Sequence, residues 1–311
     1  MRKGEGMSFQ EIFLQQLFNG LLLGSFYGLV ALGYSMVYGI IKLLNFAHAD
    51  IYMVGAFVGL SILGVLGATV IGNQWLGIMI AMIITMIIVG LLGVLIQRVA
   101  YRPMLAAPRL SILITALAVS MILYNSTMII TGGQYRPFRT GLGYEGFSLG
   151  SVYITQTQLI LIISAFVLMF ILHMFITRTM YGKAMRAIAL DHDCCRLMGI
   201  NVHKMIALTF FVGSSLAAAA GIMAGVYYGS IHFFMGFIIG IKAFTAAVIG
   251  GIGIIPGAML GGILLGLLEA FGTQIPFIGS EWKDVFSFGI LILILIFKPT
   301  GLLGKKESER M

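Results

Sequence analysis

The sequence predicts an all-α polytopic membrane protein: a close-packed, glycine-rich bundle of about eight (eight or nine) transmembrane helices with broken or re-entrant segments. Three observations carry that prediction. Of 311 residues, 59% are hydrophobic and 10% charged, where a soluble domain carries about 25% charged residues. Mean hydropathy is +1.04, so lipid rather than water must solvate most of the surface. Apolar runs of roughly 20 residues, the length that crosses a hydrocarbon core, recur from end to end. Strand-like alternation is absent, and a lone segment in lipid must satisfy its own backbone hydrogen bonds, so the runs read as helices and a barrel is excluded. No soluble region interrupts them, and residues 1–311 read as a single transmembrane domain.

Taken in order, the runs are 12–41, 51–71, 76–96, 110–131, 157–177, 205–230, 233–252, 256–271 and 284–298. The first is too long for a signal-peptide core and has no small-residue cleavage site, so it is expected to be a span. The runs at 233–252 and 256–271 are short and separated by "GGIGIIPGA", which marks one or both as half-helices. Loop charge sets the orientation. "QRVAYRPMLAAPR" carries Arg98, Arg102 and Arg109 without an acid, and residues 178–204 carry five Lys/Arg against Asp191 and Asp193. Both loops are expected in the cytoplasm, which puts 132–156 outside and returns the tail "KKESERM" to the cytoplasm. The front half stays open: three full crossings place Met1 outside, one re-entrant segment places it inside. The formal charge of +8 belongs to these short loops and is not a nucleic-acid signal.

Glycine is patterned. Gly20, Gly24 and Gly28 lie four apart, as do Gly221, Gly225 and Gly229, and Gly253, Gly257 and Gly261. That spacing lays small residues along one helix face and lets backbones approach.

Polar residues interrupt the lipid-fit pattern at "IIKLLNFAHADIYMVGAF". Asn45 suits an N-cap and Asp50 suits the first helical turns, with Lys42 snorkelling. Alternatively this interruption and "AVIGGIGIIPGAMLGG" are paired broken segments lining a path, which makes Asn45, His48, Asp50, Gly251 and Gly253 candidate translocation residues. Lys242 and Glu269 also lie inside apolar runs. Either alone is costly in lipid, and their depths allow an intramembrane ion pair; a role in substrate passage is the alternative.

The loop "RTMYGKAMRAIALDHDCCRLMGINVHK" predicts one amphipathic helix over 183–198, with Ala187, Leu190, Cys194 and Leu197 as its apolar stripe and Gly199 ending it. It either rests on headgroups or docks into a soluble partner. Cys194 and Cys195, the two cysteines of the chain, read as reduced thiols. A metal site with His192 and His203 is disfavoured, because adjacent cysteines on a helix point about 100° apart.

With "LGYSMVYGIIKLLNFAHADIYMVGAF", "QRVAYRP", "GKAMRAIALDHDCCRLMGIN" and "AFTAAVIGGIGIIPGAMLGG" in this order, the chain resembles the LivH-type permease of branched-chain amino-acid ABC importers over almost its whole length. The resemblance implies that the cytoplasmic loop is the ATPase-coupling helix, with Arg186, Ala187, Asp191, Gly199, Ile200 and Asn201 matching the family pattern and Leu197 beside them. It also implies a second homologous permease, two ABC ATPase subunits, an extracytoplasmic amino-acid-binding protein meeting 132–156 near Arg136 and Arg139, and a place in a prokaryotic cytoplasmic membrane. The chain departs from the family pattern at Ala49, Asp50 and Cys195, where relatives commonly have Gly, Glu and Ala. No G-x-x-x-x-G-K-[ST] occurs; "KPTGLLGKKE" has Pro299 and Lys306 at two required places. So the chain is expected to be a transport subunit without a cofactor or metal, powered by partners, rather than an enzyme. Relatives also handle urea and short amides. The rival from another class is a stand-alone proton-coupled transporter using His48, Asp50 or Glu269.

Overall fold

The computed structural model describes residues 8–42, 44–67, 74–104, 107–142, 145–149, 152–274 and 280–304. Met1 and the tail 305–311, including Lys306, lie outside the described residues. Eleven α-helices are described: α1 Phe9–Ile41, α2 His48–Gly67, α3 Gln74–Ile96, α4 Arg109–Thr131, α5 Gln156–Arg178, α6 Met180–Leu190, α7 His192–Leu197, α8 Val202–Tyr228, α9 Met235–Gly250, α10 Ile255–Gly272 and α11 Lys283–Phe297. Among the described residues, seven are long and apolar enough to cross a membrane. At about 1.5 Å per residue, α9 and α11 reach only about 24 and 22 Å, less than the roughly 30 Å core. The protein is an all-α, multi-pass membrane bundle. Of the two segments expected to be half-helices, α9 is short and α10 is long enough to cross.

Helix α1 is the hub. It opens on a capping box in which Ser8 Oγ accepts from the Glu11 amide and Glu11 Oε2 accepts from the Ser8 amide at 2.7 Å, and it ends on Lys42 in the left-handed region at φ 57°. From Gly24 to Val37 every residue is buried, with α10, α8, α9 and α5 packed around it. At its start, Gln15 Oε1 accepts from the Tyr153 amide at 3.1 Å. At its other end, Met36 and Ile40 border Met185 and Ala189 of α6. Helix α1 therefore runs from the side of the 132–156 loop to the side of the 178–204 loop. Three crossings follow one another in the front half, and the Phe9 end lies with the loop that charge places outside.

The 132–156 loop contains short strands. Strands β2 (Gly146–Leu149) and β3 (Val152–Thr155) form an antiparallel hairpin, and β1 (Arg136–Pro137) pairs with β4 (Ser230–Ile231) after α8. These ladders are only two to four residues long.

The glycine stripes meet backbone. A β-carbon at Gly24 would fall 2.7 Å from Ile263 Cα, and one at Gly20 would fall 2.8 Å from Leu267 Cα. From the facing side, Gly262 and Gly266 of α10 meet the backbone of Gly28 and Gly24. Gly221 faces the backbone of Tyr52 and Ala56 in α2. Gly64, by contrast, has open space around it. We expect Gly24→Leu or Gly266→Leu to lower the detergent-solubilised melting temperature, since overpacking costs about 1–3 kcal/mol. Gly64→Leu should leave it unchanged, and equal effects at all three positions would refute the seam.

Candidate translocation site and coupling loop

Helix α2 begins inside the bundle. Its first residue, His48, fills a slot between Gly33 of α1 and Gly213 of α8: a β-carbon at Gly33 would strike the imidazole, and one at Gly213 would lie 3.6 Å from it. Gly213 is eleven residues past the start of α8, or about 16 Å along its axis. The Tyr34 ring stands edge-on to the imidazole, with centroids 5.0 Å apart.

Asn45 does not cap α2 with its side chain. Its carbonyl accepts from the His48 amide at 3.0 Å, while its Oδ1 accepts from Tyr101 Oη at 2.5 Å. Tyr101 and Gln97 belong to a π-helical turn, Gln97–Tyr101, that ends α3. The turn puts the Tyr101 hydroxyl against Asn45 beside the α2 break, while Gln97 is buried in the same turn; such turns recur at functional sites. Asn45 Nδ2, His48 Nε2 and Gln97 Nε2 are buried without a hydrogen bond among the described residues. An unpaired buried polar atom costs about 1–3 kcal/mol, and two of these three belong to the α2 break itself.

Asp50 sits one turn further on. Its Oδ2 accepts from Ser120 Oγ of α4 at 2.5 Å, and Oδ1 lies 3.0 Å from where a Gly236 β-carbon would be. Gly236 is in the first turn of α9, so two helix N-termini, both favourable to negative charge, flank the carboxylate. The Ala49 methyl faces Gly240, whose missing side chain makes room for it. Ala49 at the usual glycine position is thus accommodated by packing.

The second break is built differently. Gly251 and Gly253 take φ of 106° and 86°, conformations that favour glycine. The freed carbonyls of Ile249 and Gly250 accept from the amides of Leu302 and Leu303 at 2.8 and 3.2 Å. The chain after α11 therefore seals the end of α9, and Gly253 lies against Gly39 of α1. A cavity of about 50 Å³ joins this break to Ser35, Met185, Arg186 and Thr209.

Lys242 and Glu269 are brought together. Lys242 Nζ lies 2.8 Å from Glu269 Oε1 and 2.7 Å from Asp284 Oδ1, and Glu269 Oε2 accepts from Tyr27 Oη at 2.9 Å. Ser287 Oγ donates to the same oxygen at 3.5 Å. Lys242 and Glu269 are each 2% exposed, while the Asp284 side chain is 40% exposed. Asp284, at the start of α11, is the partner that sequence reasoning missed. Tyr27 was hidden in an apolar run.

The cytoplasmic loop is two helices, not the single helix expected over 183–198. Asp191 adopts an extended conformation between α6 and α7 and caps α7, its Oδ1 accepting from the Asp193 and Cys194 amides at 2.8 and 3.0 Å. A side chain that bonds forward to its own backbone competes with helix continuation. The break turns the expected stripe outward. Leu190 and Leu197 are 90% and 89% exposed and Cys194 is exposed, whereas Met185, Ile188 and Cys195 face the bundle. Gly199, at φ 80°, closes α7, and Asn201 caps α8 by accepting from the Lys204 amide at 3.0 Å. Ile200 is half-buried beside it, and Arg186 Nη2 donates to the Thr177 carbonyl at 3.4 Å. Ala187 is half-buried.

Residues 16–295 match the family described as the branched-chain amino acid transport system / permease component. The chain belongs to this family. It is 45% identical over 306 residues to the high-affinity branched-chain amino acid transport system permease protein BraD of Pseudomonas aeruginosa, covering 96% of this chain and 98% of that one. It is 43% identical to the corresponding LivH of Escherichia coli K12 over 303 residues, with the same coverage. A probable LivH of Methanocaldococcus jannaschii is 26% identical over 295 residues, 89% of this chain and 88% of that one. Members of this family are transport subunits, and this chain is a multi-pass membrane permease of that kind.

Two predictions follow from these geometries. Lys242→Ala leaves Glu269 buried and uncompensated, a loss of about 3–5 kcal/mol by analogy with broken buried pairs, read as reduced membrane yield. Lys242→Ala with Glu269→Ala should recover part of it, since half-exposed Asp284 can be hydrated; no recovery would deny the pair its role. At the coupling loop, the Cys194 amide and thiol and the Asp193 amide hold the Asp191 carboxyl below its ordinary range. The cap is thus present above the ordinary carboxylate pKa and lost as pH falls through the depressed one. The same carboxylate pushes the exposed Cys194 thiol up, so maleimide should label Cys194 more slowly than a free thiol at neutral pH. Asp191→Asn should speed that labelling while keeping a capping side chain.

Proposed function

We propose that this chain is the permease subunit of an ATP-binding-cassette importer that moves branched-chain amino acids across a prokaryotic cytoplasmic membrane by alternating access. Separate ATPase subunits would supply the energy and a second, homologous permease would complete the pathway. An extracytoplasmic binding protein would deliver the amino acid to the 132–156 side, where Arg136 and Arg139 are exposed. The observation that carries this reading is identity of 43–45% over nearly the whole of both chains with permeases so named.

The cytoplasmic loop supports the coupling role. Two large apolar side chains, Leu190 and Leu197, stand almost fully exposed on a basic loop outside the bundle. Short helices that offer apolar anchors to a groove are a recurring way to join proteins. On its inner face the same loop is tied down: Gly182 packs on the backbone of Ile176, and Met185 and Ile188 are buried. A force applied at Leu190 and Leu197 would therefore reach α5 and α1. The α2 break, with Asn45, His48 and Asp50, is the polar part of the route in this reading, and unpaired buried nitrogens suit a zwitterionic cargo.

The test is purification in mild detergent with mass spectrometry of what stays bound, paired with leucine uptake. The wild-type chain should retain two P-loop ATPases and a second permease. Leu190→Asp with Leu197→Asp should release the ATPases and cut uptake at least tenfold, that is, by about 1.4 kcal/mol or more of coupling, while the chain stays in the membrane. Leucine uptake by the chain alone, driven by a pH gradient without ATP, would replace this reading with the proton-coupled one.

A further inference from the structure

A cleft of about 270 Å³ opens on the cytoplasmic side where four helix ends meet. Its floor is aliphatic, built from Ile41 at the end of α1, Ile112 in the first turn of α4 and Ile206 in the first turns of α8. Its mouth is polar, with His192, Asp193 and Arg196 of α7 and His203 of α8. Ile112 and Ile206 are buried in the protein core at 4% and 3% exposure, so the floor is preformed. A concave apolar site with a few convergent polar groups is the general form of a small-molecule site.

The chemistry of the lining selects its ligand. Asp193 and Arg196 put one charge of each sign at the mouth, 3.4 Å apart and both exposed. An exposed pair of this kind is worth little, so each partner is readily exchanged for an ion from solution. An anion alone would satisfy Arg196 and meet Asp193 with repulsion. A zwitterion satisfies both, its carboxylate on Arg196 and its ammonium on Asp193, and an aliphatic side chain then covers the isoleucine floor. We infer that this cleft is a cytoplasmic binding site for a free aliphatic L-amino acid, distinct from the transport route and used for feedback. The inference rests on the importer reading above.

Regulation follows from the location. The cleft is lined by α1, α4, α7 and α8 at once, and α7 belongs to the loop assigned to ATPase coupling. A ligand seated there binds best to the arrangement that holds these four ends at their present spacing. It therefore resists any change of that spacing, in proportion to its differential affinity. Cargo that has accumulated inside would slow its own import.

The experiment uses the complete importer in proteoliposomes with its ATPases facing outward and the loaded binding protein inside. ATP hydrolysis is followed while leucine is added to the outer, cytoplasmic-face solution. Wild type should be inhibited at least about fivefold, the lower range of ordinary allosteric coupling, and leucinamide, which lacks the carboxylate, should not inhibit. Ile112→Trp fills the floor and His203→Ala removes part of the mouth; both should hydrolyse ATP at the uninhibited rate and lose the response. If the wild type is unaffected by leucine while leucine is still transported, the feedback site is refuted and the importer reading stands. Inhibition that persists in both variants, or that leucinamide reproduces, also refutes this cleft. Failure of the wild type to transport leucine at all would overturn the importer reading, and this inference with it.

Discussion

The structure depends on the backbone-to-backbone contact between α1 and α10. In lipid no hydrophobic force drives helices together, because the solvent is as apolar as the side chains. Cohesion then comes from van der Waals contact, which grows with the number of atoms brought to optimal distance. Gly20 and Gly24 on one helix, and Gly262 and Gly266 on the other, leave room only for main chain between them. That contact fixes the long helix α1, and α8, α9 and α5 are arranged around α1 in turn. The two helix breaks inherit their positions from it: His48 fits because Gly33 of α1 is bare, and Gly253 is placed by Gly39.

Against this apolar frame, buried polar groups divide into two kinds. The Lys242 cluster is well engaged, with Glu269, Asp284 and Tyr27 around one ammonium, and it ties α9, α10 and α11 together. Its remaining imbalance, two acids for one base, falls on Asp284, the member that reaches solvent. The α2 break is the opposite case: Asn45 Nδ2 and His48 Nε2 are held without a hydrogen bond among the described residues, in a bundle that gives Glu269 three partners, Lys242, Tyr27 and Ser287.

The sequence made the bundle legible because lipid imposes a simple rule, apolar length, and because glycine spacing reports close approach directly. It made Lys242 and Glu269 legible because charge in a span needs a partner. Three features were beyond it, each for a physical reason. The π turn that aims Tyr101 at Asn45 adds one residue to a helical repeat, and nothing in "QRVAYRP" reports that. The outer hairpin is built from strands of four residues, too short for alternation to register. The pattern of the 178–204 loop fits one continuous helix, and the break comes from a local bond, the Asp191 carboxylate on two amides, that a periodicity count does not weigh. Asn45 was misread for the complementary reason: it is a good cap by type, but Tyr101 supplied a stronger donor from 56 positions away.

The arrangement of the cytoplasmic face shows how local these determinants are. Helix α6 is clamped through Gly182 to the backbone of Ile176, while α7 is joined to it through the extended residue Asp191. One half of the loop is thus fixed to the bundle through α6, and the other is set off from it by a capped break, with Cys195 buried. The small cavity between Arg186, Ser35 and Gly253 separates the fixed half from the sealed end of α9, leaving space between them where tight packing would have made one rigid block. Displacement of α6 would be taken up first there, and then by the Gly251–Gly253 turn, whose positive φ values belong to the residue type with the lowest cost of changing them. The seam between α1 and α10 has no comparable slack. Motion of the loop would therefore be delivered to the helix breaks before it could disturb the glycine contact that holds the bundle.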